Sequence, residues 1–202
     1  MASGGGTNFK AILNRIADGS LPGVSVAFLI SNNSKCGAFE IAKVSGVCVY
    51  HLSSVTHPND VALAKAIVSV CIDHQIDLLV LAGYMKKIPD LVLNQLPNRV
   101  INIHPALLPS FGGPGHWGMH VHEALVDAGA RVSGPTVHFV DSIYDHGRII
   151  AQRAVAVASQ DTPEDVAKKV QAVEYDLYWR VVKAFSEGAV RIQGGRILCD
   201  VD

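Results

Sequence analysis

Arg99-Val100-Ile101-Asn102-Ile103-His104-Pro105-Ala106-Leu107-Leu108-Pro109 reads as an apolar strand that runs out into a proline-bounded loop. Side chains on a strand alternate faces, so residues two apart point the same way. Asn102 and His104 therefore share one face at the end of this strand. An amide donor beside an ionisable imidazole suits stabilisation of an oxyanion that forms at a carbonyl carbon. Local side-chain to backbone bonds also account for an isolated Asn-x-His, so the rest of the chain has to decide.

Segments rich in Val, Ile and Leu recur on both sides of that run, at residues 24–30, 47–51, 78–82, 100–103, 136–140 and 149–157. Between them, residues 8–17, 36–45, 60–74, 88–95 and 120–128 carry apolar side chains at three- and four-residue spacing, which predicts helices. A last helix over 162–187 opens with Thr162-Pro163-Glu164-Asp165, where proline fits the first turn and the acids favour the positive end. Gly188 ends it, and residues 190–202 read as a short hairpin turning at Gly194-Gly195. The alternation predicts an α/β fold, a mostly parallel twisted sheet flanked by helices. No repeat, low-complexity tract or linker divides the chain, so one domain over residues 1–202 is expected.

The 202 residues are 49% hydrophobic with a formal net charge of -1, a profile that excludes nucleic-acid binding driven by bulk charge. Apolar stretches are short or broken by charge or glycine, so neither a membrane span nor a signal-peptide core is read, and a cytoplasmic location is expected. Cys36, Cys48, Cys71 and Cys199 lack ligand spacing and are expected as reduced thiols. The histidine spacings suggest no metal.

Two further stretches carry chemistry. Ser3-Gly4-Gly5-Gly6-Thr7-Asn8 leads straight into a helical pattern, and glycine-turned amides at a helix start make a phosphate cradle, although the stretch fits neither the Walker nor the GxGxxG pattern. A flexible tail is the alternative. In Gly134-Pro135-Thr136-Val137-His138-Phe139-Val140-Asp141 a strand carries His138 into a turn holding Asp145 ahead of His146-Gly147. That carboxylate either faces an imidazole on the neighbouring strand or caps its own loop. The loop from Ser110 to Gly118, with four glycines and a proline, lies next to these residues and suits a cover over substrate.

Together the Asn-Ile-His-Pro-Ala-Leu-Leu-Pro run, the Gly-Pro-Thr-Val-His-Phe-Val segment and Asp145-x-Gly resemble the folate-dependent formyltransferases, with likeness from Ser3 to about Phe185. The resemblance implies a Rossmann-like N-terminal half and transfer of a formyl group from 10-formyltetrahydrofolate to the amine of 5′-phosphoribosylglycinamide, in purine biosynthesis. Asn102, His104 and Asp145 are then catalytic, with a charged His104 and the Asn102 amide on the formyl oxygen. Asp145 keeps His104 charged and moves a proton through water. Gly6, Thr7 and Asn8 hold the ribonucleotide phosphate, and Glu174 touches the glycinamide end. Met85, Lys86, Lys87 and Ile88 line the folate pocket together with Asn102, while the loop from Asp141 to Asp145 closes its other side. His138 supports the catalytic groups from behind. The implied partners are small molecules, with no nucleic acid, membrane or metal, and the assembly is a monomer or homodimer. Family members have an apolar strand before the Gly-rich loop. Here Met1-Ala2 stand alone in that place, so the first strand is expected to be missing and the phosphate loop to lack its anchor. A formyltetrahydrofolate hydrolase and a non-catalytic folate or nucleotide binder are the alternatives.

Overall fold

Strands and helices alternate through the first hundred residues in the order α1 (Thr7–Ala17), β1 (Phe28–Ser31), α2 (Gly37–Val44), β2 (Cys48–His51), α3 (Asp60–Asp73), β3 (Leu79–Leu81), α4 (Asp90–Gln95) and β4 (Val100–His104). The computed structural model describes residues 1–201, in two compact units that divide after Asn102 within β4. In the first unit β1 pairs with β2 and β3 with β4, both in parallel. All four residues of β1 are buried, as expected of parallel strands covered on both faces. Asn59 caps α3 by accepting the Ala62 N–H at 2.9 Å. The predicted helix over 88–95 begins later, at Asp90, because Pro89 takes the N-cap in an extended conformation.

Among the described residues no strand precedes the Gly-rich loop, yet the loop does not lack an anchor. The Met1 amine donates to the Val80 carbonyl at 2.6 Å, and the Met1 carbonyl accepts the Ala82 N–H at 2.8 Å. On the other side Ala2 N–H donates to the Ile30 carbonyl at 3.1 Å, and Ser3 N–H reaches Gly83 at 2.9 Å. Three residues thus bridge the ends of β1 and β3, which corrects the expectation of an unsupported loop. Met1 and Ala2 are buried, and burial pulls the pKa of the amine down to about 5.

The second unit contains α5 (Met119–Asp127), β5 (Val132–Ser133), β6 (Thr136–Phe139), β7 (Ile149–Gln152), β8 (Val155–Ala156), α6 (Pro163–Ser186), β9 (Arg191–Gln193) and β10 (Arg196–Leu198). Its pairings, β6 with β7, β5 with β8 and β9 with β10, are antiparallel, so the α/β architecture is mixed. The strand predicted over 149–157 is split at Arg153-Ala154. Opposite that break lie Gly134, at φ +144°, and Pro135, which has no N–H to extend a ladder. A Cβ on Gly134 would stand 1.8 Å from the Arg153 carbonyl oxygen, so the two chains meet there too closely for a regular pair. The predicted capping of α6 is present: Thr162 accepts the Asp165 N–H, and the Asp165 carboxylate accepts that of Thr162. Val166 and Val170 of α6 pack with Leu125 and Val157 in a buried cluster. The hairpin read over 190–202 turns at Gly194-Gly195 as β9 and β10, and its last residue lies outside the described residues.

Candidate active site

β4 ends on His104, and the chain then turns through Pro105 to Pro109, a loop braced by one buried hydroxyl. Thr136 Oγ1 donates to the Ala106 carbonyl at 2.6 Å and accepts the Leu108 N–H at 3.0 Å and Gln152 Nε2 at 2.9 Å. Gln152 Nε2 also donates to the Leu108 carbonyl at 3.0 Å. This brace fixes the chain immediately after His104, so the imidazole is set by packing and leaves its strand in one direction.

His104 is 4% exposed, and its Nε2 lies 2.8 Å from the Phe111 carbonyl oxygen. A carbonyl can accept and not donate, so that nitrogen carries a proton. Nδ1 then has a lone pair whenever the ring is neutral, and it stands 3.6 Å from Asp145 Oδ2. His138, 2% exposed, repeats the pattern: Nδ1 donates to the Phe139 carbonyl at 2.8 Å, while Nε2 stands 3.7 Å from Asp145 Oδ1. Two imidazoles therefore each spend their one neutral-state proton on the main chain and turn the other nitrogen toward the same carboxylate. Asp145 holds its place at φ +53° and accepts the Gly113 N–H at 3.0 Å.

Burial is the largest influence on both rings and lowers their pKa values, outweighing the pull of Asp145 in the opposite direction. Burial therefore favours the neutral ring of His104, and Asp145, expected to keep it charged, pulls against that burial. His122 of α5 is also buried, has an unpartnered Nδ1, and has its pKa lowered first by burial and then by His104. Unfolding returns such groups to a value near 6.5, so below that pH the unfolded chain binds protons that the folded chain refuses. Stability is full above about pH 6.5 and falls as pH drops, each histidine steepening the fall by up to roughly 1.4 kcal/mol per pH unit. Urea midpoints measured from pH 7.5 to 5.5 check this, with a shallower fall expected for His122→Leu. A midpoint independent of pH would mean that the rings titrate as freely when folded.

The Gly-rich loop is a separate construction in the first unit. Gly6 takes the left-handed conformation at φ +75° as N-cap of α1, and a Cβ there would meet the Ala38 Cβ at 2.7 Å. Glycine is needed twice over, for its conformation and for the close approach. Thr7 and Asn8 follow as the first residues of the helix, at the positive end of its dipole, which favours an anion.

A family model described as formyl transferase matches residues 1–182. The chain belongs to the formyl transferase family. It is 44% identical over 190 residues to a chloroplastic phosphoribosylglycinamide formyltransferase of Arabidopsis thaliana, covering 94% of this chain and 65% of that one. It is 34% identical over 182 residues to the phosphoribosylglycinamide formyltransferase of Bacillus subtilis, covering 90% of each. The crystal structure of glycinamide ribonucleotide transformylase 1 from Symbiobacterium toebii superposes with a TM-score of 0.90 at 36% identity, over 98% of this chain and 92% of that one. The chain spans about three fifths of the length of the plant relatives it matches.

Within this formyl transferase fold the residues singled out from sequence fall into several places. His104, His138 and Asp145 come together as described. Asn102 lies in β4 in register with Leu81, two residues before His104. Met85, Lys86 and Lys87 are exposed on the loop after β3, and Ile88 is buried. Asp141 ties its own loop by accepting the Ile143 N–H and His146 Nδ1, each at 2.8 Å. Glu174 is 8% exposed on α6, so it is not a solvated helix carboxylate. Sequence reasoning missed Phe111 and Gly113, whose main-chain groups hold His104 and Asp145. Gly112 between them was the available signal: a Cβ there would meet Leu108 Cδ2 at 2.5 Å and the Asp145 Cβ at 3.2 Å. Among the described residues no helix is long and apolar enough to cross a membrane, and no group of three or more His, Cys, Asp or Glu could hold a metal ion.

Proposed function

We propose that the chain transfers the formyl group of 10-formyltetrahydrofolate to the amine of 5′-phosphoribosylglycinamide, with residues 1–202 working as one formyltransferase domain. The observation that carries this reading is the pair of imidazoles turned toward Asp145 at the end of β4, in a member of a family whose matched relatives bear that activity in their names. Gly6, Thr7 and Asn8 hold the phosphate. Glu174 accepts from the glycinamide end, and Met85, Lys86, Lys87, Ile88, Asn102, Asp141 and Asp145 hold the folate.

In the reaction the amine nitrogen attacks the formyl carbon and the carbonyl electrons move to oxygen. The Asn102 amide donates to that oxygen, an interaction worth roughly 2.7–4 kcal/mol for a single donor. Neutral His104 takes the proton lost by the attacking nitrogen on Nδ1, the nitrogen that is not committed to Phe111. The resulting imidazolium faces the Asp145 carboxylate and lies beside the oxyanion, so charge appears where it is stabilised. As the carbonyl re-forms, the bond from carbon to the folate N10 breaks and N10 leaves with the proton from His104. His138 packs behind Asp145 and limits where the carboxylate can turn. Substrates are small molecules, the compartment is the cytoplasm, and the chain works as a monomer or homodimer without metal or nucleic acid.

The test is the absorbance change on mixing the purified chain with 10-formyl-5,8-dideazafolate, with and without 5′-phosphoribosylglycinamide. Turnover that requires the nucleotide is expected. Formate release without the nucleotide would assign a hydrolase, and folate binding without turnover would assign a non-catalytic binder.

A further inference from the structure

Three polar groups of Ser3 make four hydrogen bonds at once, and they join three segments of the first unit. Its N–H donates to the Gly83 carbonyl at 2.9 Å, and its carbonyl accepts Asn33 Nδ2 at 3.4 Å. Its hydroxyl donates to Asn32 Oδ1 at 2.5 Å and accepts the Met85 N–H at 3.0 Å. Asn32 and Asn33 follow β1, Gly83 and Met85 follow β3, and Ser3 itself opens the Gly-rich loop. The segments after β1 and β3 lie beyond the carboxyl ends of parallel strands, where open α/β sheets place their ligands, and Ser3 ties the Gly-rich loop to both.

We propose that Ser3 is a positioning residue that couples the phosphate loop to the folate-binding segment, so that nucleotide and folate each strengthen the binding of the other. This rests on the proposed function, which assigns Gly6 to Asn8 and Met85 to Ile88 to different ligands. Three consecutive glycines between Ser3 and Thr7 have much backbone freedom to lose when an anion settles on the start of α1. The loop is already held downstream, where the Gly4 carbonyl accepts the Ala38 N–H at 3.2 Å. Its upstream end is tied through Ser3. Once an anion fixes the loop, the Ser3 hydroxyl stays on the Met85 N–H, and folate meets a segment whose ordering has already been accomplished. Linkage makes the effect mutual. The hydroxyl carries the coupling, because alanine at this position would keep the main-chain bonds to Gly83 and Asn33 and lose those to Asn32 and Met85.

Titration calorimetry of the full chain with 5,8-dideazafolate, which has no formyl group to transfer, tests this with and without saturating 5′-phosphoribosylglycinamide. In the unmodified protein the nucleotide is expected to tighten folate binding at least about fivefold, the lower end of ordinary coupling. Ser3→Ala should bind each ligand alone within a few fold of normal while the coupling factor falls to near one. Ser3→Thr, which keeps a hydroxyl, should retain coupling and so separates the lost bond from a folding defect. Coupling in Ser3→Ala equal to that of the unmodified protein would overturn the proposal, as would its absence from the unmodified protein. Failure of the unmodified protein to bind either ligand would instead overturn the formyltransferase reading, and this inference with it.

Discussion

Asp145→Asn is expected to lower kcat by about 10²- to 10⁴-fold, the range for loss of a positioned proton-transfer group, while a folate analogue still binds. The substitution keeps shape, and the asparagine carbonyl can still accept the Gly113 N–H that anchors position 145. What it removes is the one negative charge that both imidazoles face, at 3.6 Å from His104 and 3.7 Å from His138. Burial already disfavours the imidazolium, and loss of Asp145 removes the negative charge that opposes that penalty at His104, leaving the Phe111 carbonyl. A proton leaving the attacking amine would then have no stabilised place to go. His104→Ala should lose activity on the same scale, because it removes the acceptor itself. Steady-state kinetics with 10-formyl-5,8-dideazafolate, beside calorimetric binding of the deformylated analogue, separate loss of chemistry from loss of binding. Asp145→Asn within tenfold of normal kcat would take the carboxylate out of the reaction.

The strand run ending in Asn102-Ile103-His104 was legible because a period of two is a local property: it fixes which side chains share a face whatever packs around them. The long helix with its Thr162 start was legible for the same reason. His138 and Asp145 could be paired from their spacing across a turn, although the sequence alone left open a carboxylate that merely capped its own loop. What was not legible belongs to the main chain and to burial. Phe111 and Gly113 contribute a main-chain carbonyl and a main-chain N–H, which every residue type but proline possesses, so no side chain marks them. The pull on the His104 proton depends on burial among distant segments as well as on Asp145, and the sequence shows the neighbouring carboxylate without the burial. Alternation of strands with helices disclosed the sheet and its parallel part, whereas the antiparallel pairs of the second unit were not visible, since apolar runs disclose strands but not the direction in which they pair.

Gly147→Ala is expected to destabilise the fold at the upper end of the roughly 1–3 kcal/mol typical of overpacking, a large share of the about 5–15 kcal/mol that holds a domain together. A Cβ at this position would stand 1.8 Å from the Phe139 carbonyl oxygen and 2.7 Å from its carbon. Those are backbone atoms, and no rotamer change can move them away. The neighbouring chain is also pinned, because the Phe139 N–H donates to the Arg148 carbonyl at 2.9 Å and the Phe139 carbonyl accepts His138 Nδ1 at 2.8 Å. Retreat on either side breaks the end of the β6–β7 ladder or releases the imidazole that faces Asp145, so the substitution should depress kcat along with stability. Gly46→Ala serves as the control: it has open space around its Cβ and a φ of +69°, so it costs only the left-handed conformation, about 1–2 kcal/mol. Urea denaturation followed by circular dichroism compares the two. If Gly147→Ala unfolds within 1 kcal/mol of the unmodified protein, the close crossing of residues 139 and 147 is not what sets this turn.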